Sequence, residues 1–191
     1  MTPPNQPLSP AEATMVRLLQ AENTQDEGFR QLMKAYQQRL YWHVKRMVGE
    51  HEDANDVLQN TFIRAYRGIG SFNGEAKLYT WLYRIATNEA ITFLNKRKNR
   101  VTLSMDDEED GNTWDALLTA ETPSFTPEEI IERLERAVAV LPDKQRIVFN
   151  MRYYDDLSYK DISEILGTSE GALKASFHHA VKKIEAAVTQ K

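Results

Sequence analysis

The chain has 191 residues, of which 41% are hydrophobic and none is cysteine, and its formal net charge is −4. This length accommodates one ordinary domain or two small ones, and the lack of cysteine excludes disulfide scaffolds, thiolate metal sites and cysteine nucleophiles. Because the sequence shows neither a signal peptide nor an apolar run of about 20 residues, we expect a soluble protein of the reducing cytoplasm without membrane insertion.

Helix signals dominate the first half of the chain. Ser9, Pro10 and Glu12 have the pattern of an N-cap, a first-turn proline and a capping-box glutamate, so a helix is expected to begin there. The apolar spacing predicts four helices in this half, at about 10–22, 25–48, 51–67 and 77–99. Since no alternating strand pattern appears in either half, the sequence predicts an all-α fold.

The helix predicted at 77–99 carries aromatic residues that cannot share one face. Leu78, Leu82, Ile85, Ala86 and Phe93 form its predicted core face. Trp81 and Tyr83 would then fall on opposite flanks, with Asn88 near the Trp81 side. Either these rings widen the buried stripe, or they stack unpaired bases while Lys96 and Arg97 bind phosphates. The basic run at the end of the helix favours single-stranded DNA as the ligand.

An acidic segment follows at residues 101–126, with seven Asp or Glu and no Lys or Arg. Its composition predicts a flexible linker. The run DDEED at 106–110 could suggest a divalent metal, but consecutive acids in a flexible stretch do not supply a preorganised geometry. The four histidines also lack ligand spacing, so no metal, cofactor or enzymatic activity is expected.

A helix-turn-helix pattern lies in the second half. Four helices are predicted, at about 127–140, 143–153, 159–166 and 170–188, the first beginning with a second capping box at Thr126 and Glu129. Ser158 can cap the third helix, Gly167 suits the left-handed turn after it, and Ser169 can cap the fourth.

The fourth helix has two distinct faces. The predicted buried face consists of Leu173, Phe177, Ala180, Val181 and Ile184. The outer face consists of Gly171, Ala175, His178, His179 and Lys182, which are small or cationic enough to enter a major groove. The competing interpretation is an αα-hairpin that has only a structural role and does not bind DNA.

Together these segments resemble the extracytoplasmic-function sigma factors of bacterial RNA polymerase. The matching stretches are EDANDVLQNTFIRAYRGI, SFNGEAKLYTWLYRIATNEAITFLNKRK and LPDKQRIVFNMRYYDDLSYKDISEILGTSEGALKASFHHA, in the order of that family. The resemblance implies a sigma domain 2 at 1–100, the linker at 101–126 and a helix-turn-helix sigma domain 4 at 127–191. The implied partners are core polymerase, through its β′ clamp helices and β flap, and promoter DNA, and an anti-sigma protein is common in the family.

The resemblance also implies roles for individual residues. Asp53, Asp56, Gln59 and Phe62 match the helix that docks on the β′ clamp. The aspartates would equally favour the start of a helix, and Phe62 could belong to the core.

In the same domain, the loop SFNGEAK matches the reader of the −10 element. Phe72, Asn73 and Gly74 would line a pocket for an extruded base, Asn88 would bond near it, and Trp81 and Tyr83 would support strand opening.

The −35 element would meet the helix-turn-helix. The matching positions are Lys174, Ala175, Ser176, His178, His179 and Lys182, the last of which is a cation on the outer face. The family more often has arginines where this chain has Ser176 and His179, so bidentate guanine readers are lost. A regulator that binds duplex DNA without polymerase and a non-catalytic helical adaptor are the alternatives.

Overall fold

The computed structural model describes residues 8–102 and 126–189, and within these ranges every regular element is helical. Within the described residues, the chain forms two compact units of four α-helices each. The first contains α1 (Pro10–Gln20), α2 (Gln25–Val48), α3 (His51–Gly68), a 3-10 turn (Ile69–Ser71) and α4 (Leu78–Thr102). The second contains α5 (Pro127–Ala139), α6 (Asp143–Tyr153), α7 (Tyr159–Leu166) and α8 (Glu170–Thr189). The all-α prediction is confirmed.

Local side-chain bonds fix the starts of α1 and α5. The Ser9 hydroxyl accepts a bond from the Glu12 amide at 3.2 Å, and the Glu12 carboxylate accepts one from the Ser9 amide at 3.0 Å. Thr126 and Glu129 repeat this reciprocal pair at 3.3 and 2.8 Å. Each pair satisfies two amides that the first helical turn leaves without partners, so both capping boxes lie where the sequence predicts them.

The core of the first unit forms where α2, α3 and α4 pack together. Leu40 and Val44 of α2 and Leu82 and Ala86 of α4 are all fully buried. Burying a side chain of leucine size contributes about 1.5–3 kcal/mol, and the small alanine lets the helices approach closely. A polar contact lies in the same layer, because the His43 ring nitrogen is 3.0 Å from the Thr87 hydroxyl.

The buried face of α4 differs from the predicted one. Ile85 and Phe93 are only partly buried, whereas Tyr83 is 1% exposed and its ring lies 4.8 Å from the His43 ring. Tyr83 therefore widens the buried face of α4, which is the first of the two alternatives for this ring. Because a helix turns by about 100° per residue, Tyr83 and Ile85 point to nearly opposite sides of α4, and the side that packs against His43 of α2 carries the tyrosine.

The second unit has the predicted helix-turn-helix. The Ser158 hydroxyl accepts a bond from the Asp161 amide at 3.1 Å. The helix α7 ends at Leu166 and is capped by Gly167, whose φ of +64° is the left-handed conformation that glycine adopts without strain. Leu173, Ala180 and Ile184 of α8 are buried as predicted, and the Phe177 ring stacks on Phe149 of α6 at 5.8 Å. Helix α8 is thus anchored along one side.

Candidate nucleic-acid interface

The reader loop, residues 71–77, is held at its start by α1. The side-chain amide of Gln20 donates to the carbonyls of Ile69 at 3.2 Å and Phe72 at 2.7 Å. Further along, the Asn73 side chain accepts a bond from the Glu75 amide at 3.2 Å, and Gly74 has a φ of +74°. The side-chain bond and the positive φ define a tight turn, which leaves Asn73 exposed at its tip.

Phe72 supports this loop from inside. Its side chain is 6% exposed, and its ring lies 5.4 Å from the Trp81 ring at a tilt of 53°. Trp81 also covers Gly68, where an added Cβ would lie 3.5 Å from the indole. The partly exposed indole therefore has a fixed position between the loop and the end of α3.

Trp81 opens onto a cleft of about 420 Å³ between α3 and α4. This α3–α4 cleft is lined by Arg64, Arg67, Gly68, Ser71, Trp81, Ile85, Asn88 and Glu89. It combines an aromatic and aliphatic wall, an exposed side-chain amide from Asn88, and both signs of charge. Such a lining can accept a planar, partly polar group such as a nucleobase, with stacking on the indole.

The predicted site residues of the loop and α4 therefore differ in their exposure to solvent. Trp81 and Asn88 share the α3–α4 cleft, and Asn73 and Gly74 lie in the adjoining reader loop. Phe72 and Tyr83 are buried, so neither ring presents an open face for stacking.

The residues expected on the polymerase-facing helix form a clamp ridge, which we define as Asp53, Asp56 and Gln59. Asp56 and Gln59 are exposed and Asp53 is partly exposed. Their spacing by three places them along one side of α3. Phe62, by contrast, is 6% exposed, and its ring packs edge-on against Phe29 at 5.9 Å.

A larger apolar groove of about 650 Å³ adjoins the ridge and runs between α2 and α3. Gln59 and Phe62 line it together with Met33 and Tyr66. The Tyr66 hydroxyl donates to the Asp26 carboxylate at 3.1 Å, and this bond raises the pKa of Tyr66 above its ordinary value. The phenol therefore stays neutral beside the groove.

Arg97 connects two of the predicted surfaces. It was expected on the DNA side, but its guanidinium lies 3.5 Å from the Asp53 carboxylate and donates to the Val48 carbonyl at 3.1 Å. The side chains are 49% and 30% exposed, so the ion pair contributes at most about 1 kcal/mol. Lys96 is exposed beside it.

The outer face of α8 has the predicted composition. Lys174, Ala175, His178, His179 and Lys182 are exposed, and Ser176 is partly exposed. Lys174 lies 3.7 Å from Glu170 and over the Tyr159 ring at 5.6 Å, so its ammonium is held near the start of the helix. The two histidine rings are 6.1 Å apart.

Both halves of the chain match models of one protein family. Sigma-70 region 2 matches residues 32–100, and Sigma-70 region 4 matches residues 131–184. The chain is 34% identical over 169 residues to the ECF RNA polymerase sigma factor SigW of Bacillus subtilis, covering 85% of this chain and 89% of that relative. It belongs to the extracytoplasmic-function sigma factors of the sigma-70 family.

Other similar proteins agree with this family. The RNA polymerase sigma-H factor of Pseudomonas aeruginosa is 32% identical, with 84% of this chain and 86% of that protein covered. The sigma factor RpoE of Bartonella quintana, solved with the anti-sigma factor NepR, has a TM-score of 0.65 at 22% identity, covering 83% of this chain and 95% of that one. CnrH, solved with the cytosolic domain of CnrY, has a TM-score of 0.66 at 19% identity, covering 92% and 96%.

The chain is therefore an RNA polymerase sigma factor, which acts with core polymerase on promoter DNA. The presence of both regions does not favour a regulator that works without polymerase. Sigma factors are non-enzymatic initiation factors. Within residues 8–102 and 126–189, no group of three or more potential ligands could hold a metal, and no helix could cross a membrane. The DDEED run lies outside the described residues.

Sequence reasoning missed several cleft residues of this sigma factor. Arg64, Arg67 and Ser71 come from α3 and the turn after it, and Glu89 comes from α4. Arg64 and Glu89, which pair in the cleft, are 25 residues apart in sequence, so no local sequence pattern predicts that they meet. Gln20 was also missed, because its bonds to the reader loop span about fifty residues.

Proposed function

We propose that this sigma factor divides promoter recognition among three surfaces. The clamp ridge on α3 binds the β′ clamp helices. The outer face of α8 binds the −35 duplex, and the second unit also contacts the β flap. The α3–α4 cleft and the reader loop capture an unpaired base of the −10 non-template strand. The observation that carries this division is that Trp81 and Asn88, both accessible, share one cleft beside the loop.

Opening DNA without ATP requires that the unpaired strand bind better than the duplex. Extruding a base costs a few kcal/mol, and stacking on an aromatic face returns about 1–3 kcal/mol per base. Trp81 is held against Phe72 and Gly68, so little ordering is needed when a base arrives. Asn88 supplies both donors and acceptors to the base edge.

The Asp53–Arg97 pair makes the polymerase and DNA surfaces contiguous. Because Arg97 pairs with Asp53, it neutralises part of the negative charge that the clamp ridge presents to the β′ clamp helices. Asp56, which makes no ion pair within the described residues, is therefore the more direct probe of clamp docking.

An anti-sigma partner and the cellular location also belong to the proposal. The solved relatives form complexes with an anti-sigma factor and with the cytosolic domain of a second protein, which supports an anti-sigma partner for this chain. We place the protein in the cytoplasm, where core polymerase acts, with no catalytic residue of its own and with the acidic linker predicted at 101–126 joining its two domains. Residues 103–125 of that linker lie outside the described residues.

Permanganate footprinting of reconstituted holoenzyme tests the division. A promoter selected from a pooled library is used intact and with a mismatched −10 region. Trp81→Ala or Asn88→Ala should retain polymerase binding and fail to open the intact template, while the mismatched template restores the footprint because unpairing has already occurred.

Asn95→Ala is the matched control. Asn95 is exposed on the same helix, seven residues beyond Asn88 and so about 10 Å further along it. It should open both templates normally. If the two cleft variants also opened the intact template, base capture by the cleft would be refuted.

A further inference from the structure

Glu89 is an unexpected residue for a cleft that receives DNA. Its side chain is 12% exposed and lines the α3–α4 cleft next to Asn88. One carboxylate oxygen lies 2.6 Å from the Arg64 side-chain Nε, and Arg64 is 66% exposed. The carboxylate is therefore fixed from one side by a guanidinium, while the cleft adjoins it on another.

The charged residues of the cleft differ in their ion-pair partners. A lone carboxylate would repel a phosphate backbone, but Arg64 neutralises Glu89 locally. Arg67 is exposed and makes no ion pair within the part of the chain that the structure describes, so it remains the cation for a phosphate. A phosphate is thus favoured near Arg67, and a neutral base edge is favoured near Glu89.

A carboxylate only accepts hydrogen bonds, which restricts the bases that it can receive. Adenine, cytosine and guanine each carry an exocyclic amino group that donates. Thymine offers only its N3–H, and the carbonyl oxygens on both sides of that group face the carboxylate unfavourably. An amide at the same position could donate as well as accept and would not make this distinction.

We propose that Glu89, held by Arg64, is a specificity-determining residue that selects an amino-bearing unpaired base and rejects thymine at one position of the −10 element. This inference rests on the proposed capture of an unpaired base in the same cleft. Arg64 acts as a positioning residue, because it orients the carboxylate without being required to touch the base. Arg67 binds the strand without reading its sequence.

In vitro transcription from a promoter library with a randomised −10 region tests the assignment. Holoenzymes carrying the wild-type chain, Glu89→Gln or Arg67→Gln select templates, and base frequencies in the transcripts are compared position by position. The wild type should deplete thymine roughly tenfold at one position, in line with the discrimination of one good hydrogen-bond pairing. Glu89→Gln should remove that depletion at that position alone.

Arg67→Gln is the matched control on the same cleft. It should weaken transcription from all sequences and reduce the salt dependence of DNA binding, with the base frequencies of the wild type retained. The contrast separates base selection by Glu89 from phosphate binding by Arg67.

Unchanged base frequencies in an active Glu89→Gln holoenzyme would overturn the inference. If that variant also melted at a lower temperature, the Arg64–Glu89 pair would be only a link between α3 and α4. A wild-type holoenzyme that selects no −10 sequence would instead overturn the proposed function together with the inference.

A second variant keeps the test decisive if Glu89→Gln does not fold. Arg64→Gln retains the carboxylate but removes the group that orients it, so the depletion of thymine should weaken at that position alone. Unchanged depletion of thymine in a folded Arg64→Gln holoenzyme would contradict positioning of the carboxylate by Arg64.

Discussion

Replacing Tyr83 or Trp81 with alanine should separate a core aromatic from a functional one. Tyr83 is 1% exposed and packs on His43, so Tyr83→Ala leaves a cavity that costs about 3–5 kcal/mol. That is a large part of the 5–15 kcal/mol that typically stabilises a domain. Trp81→Ala loses partial burial and the contact with Phe72, for which we expect about 1–2 kcal/mol.

Amide hydrogen exchange in α2 and α4 measures this difference within the first unit alone. The most protected amides should exchange roughly two to four orders of magnitude faster in Tyr83→Ala, and only about 5- to 30-fold faster in Trp81→Ala. Open-complex formation by the folded fraction should be lost in the Trp81 variant. If Tyr83→Ala kept wild-type protection and failed only in promoter opening, the assignment of Tyr83 to the core would be refuted.

Three further outcomes follow from the site geometry. Asp56→Lys should abolish co-elution with core polymerase while circular dichroism stays unchanged, and retained co-elution would contradict the clamp ridge. A His178→Ala, His179→Ala double mutant should bind a −35 duplex more weakly than the wild type, because it removes two exposed imidazole rings that can donate hydrogen bonds from the outer face of α8; equal affinity of the two proteins would argue against a role for these residues. Gln20→Glu points a carboxylate at two carbonyls in the reader loop, so opening of an intact promoter should slow while the mismatched template opens normally; equal rates on the intact template would show that α1 does not position the loop.

Most helix boundaries could be predicted from the sequence, since their determinants are local. Ser9, Thr126 and Ser158 bond to amides three residues ahead, and Gly167 adopts its left-handed conformation by its own lack of a side chain. These interactions need no distant partner. The two faces of α8 were predictable for a similar reason, because its polar and apolar positions separate cleanly.

The packing of α4 depended on tertiary structure. Tyr83 and Ile85 lie on nearly opposite sides of the helix, and packing against His43 of α2 buries the side that carries the tyrosine. Likewise, the α3–α4 cleft brings Arg64 to Glu89, and the end of α4 brings Arg97 to Asp53, from separate helices. Periodicity specifies the faces that a helix can bury, whereas the free energy of packing against a particular neighbour selects one of them and thereby determines which side chains remain available to DNA and polymerase.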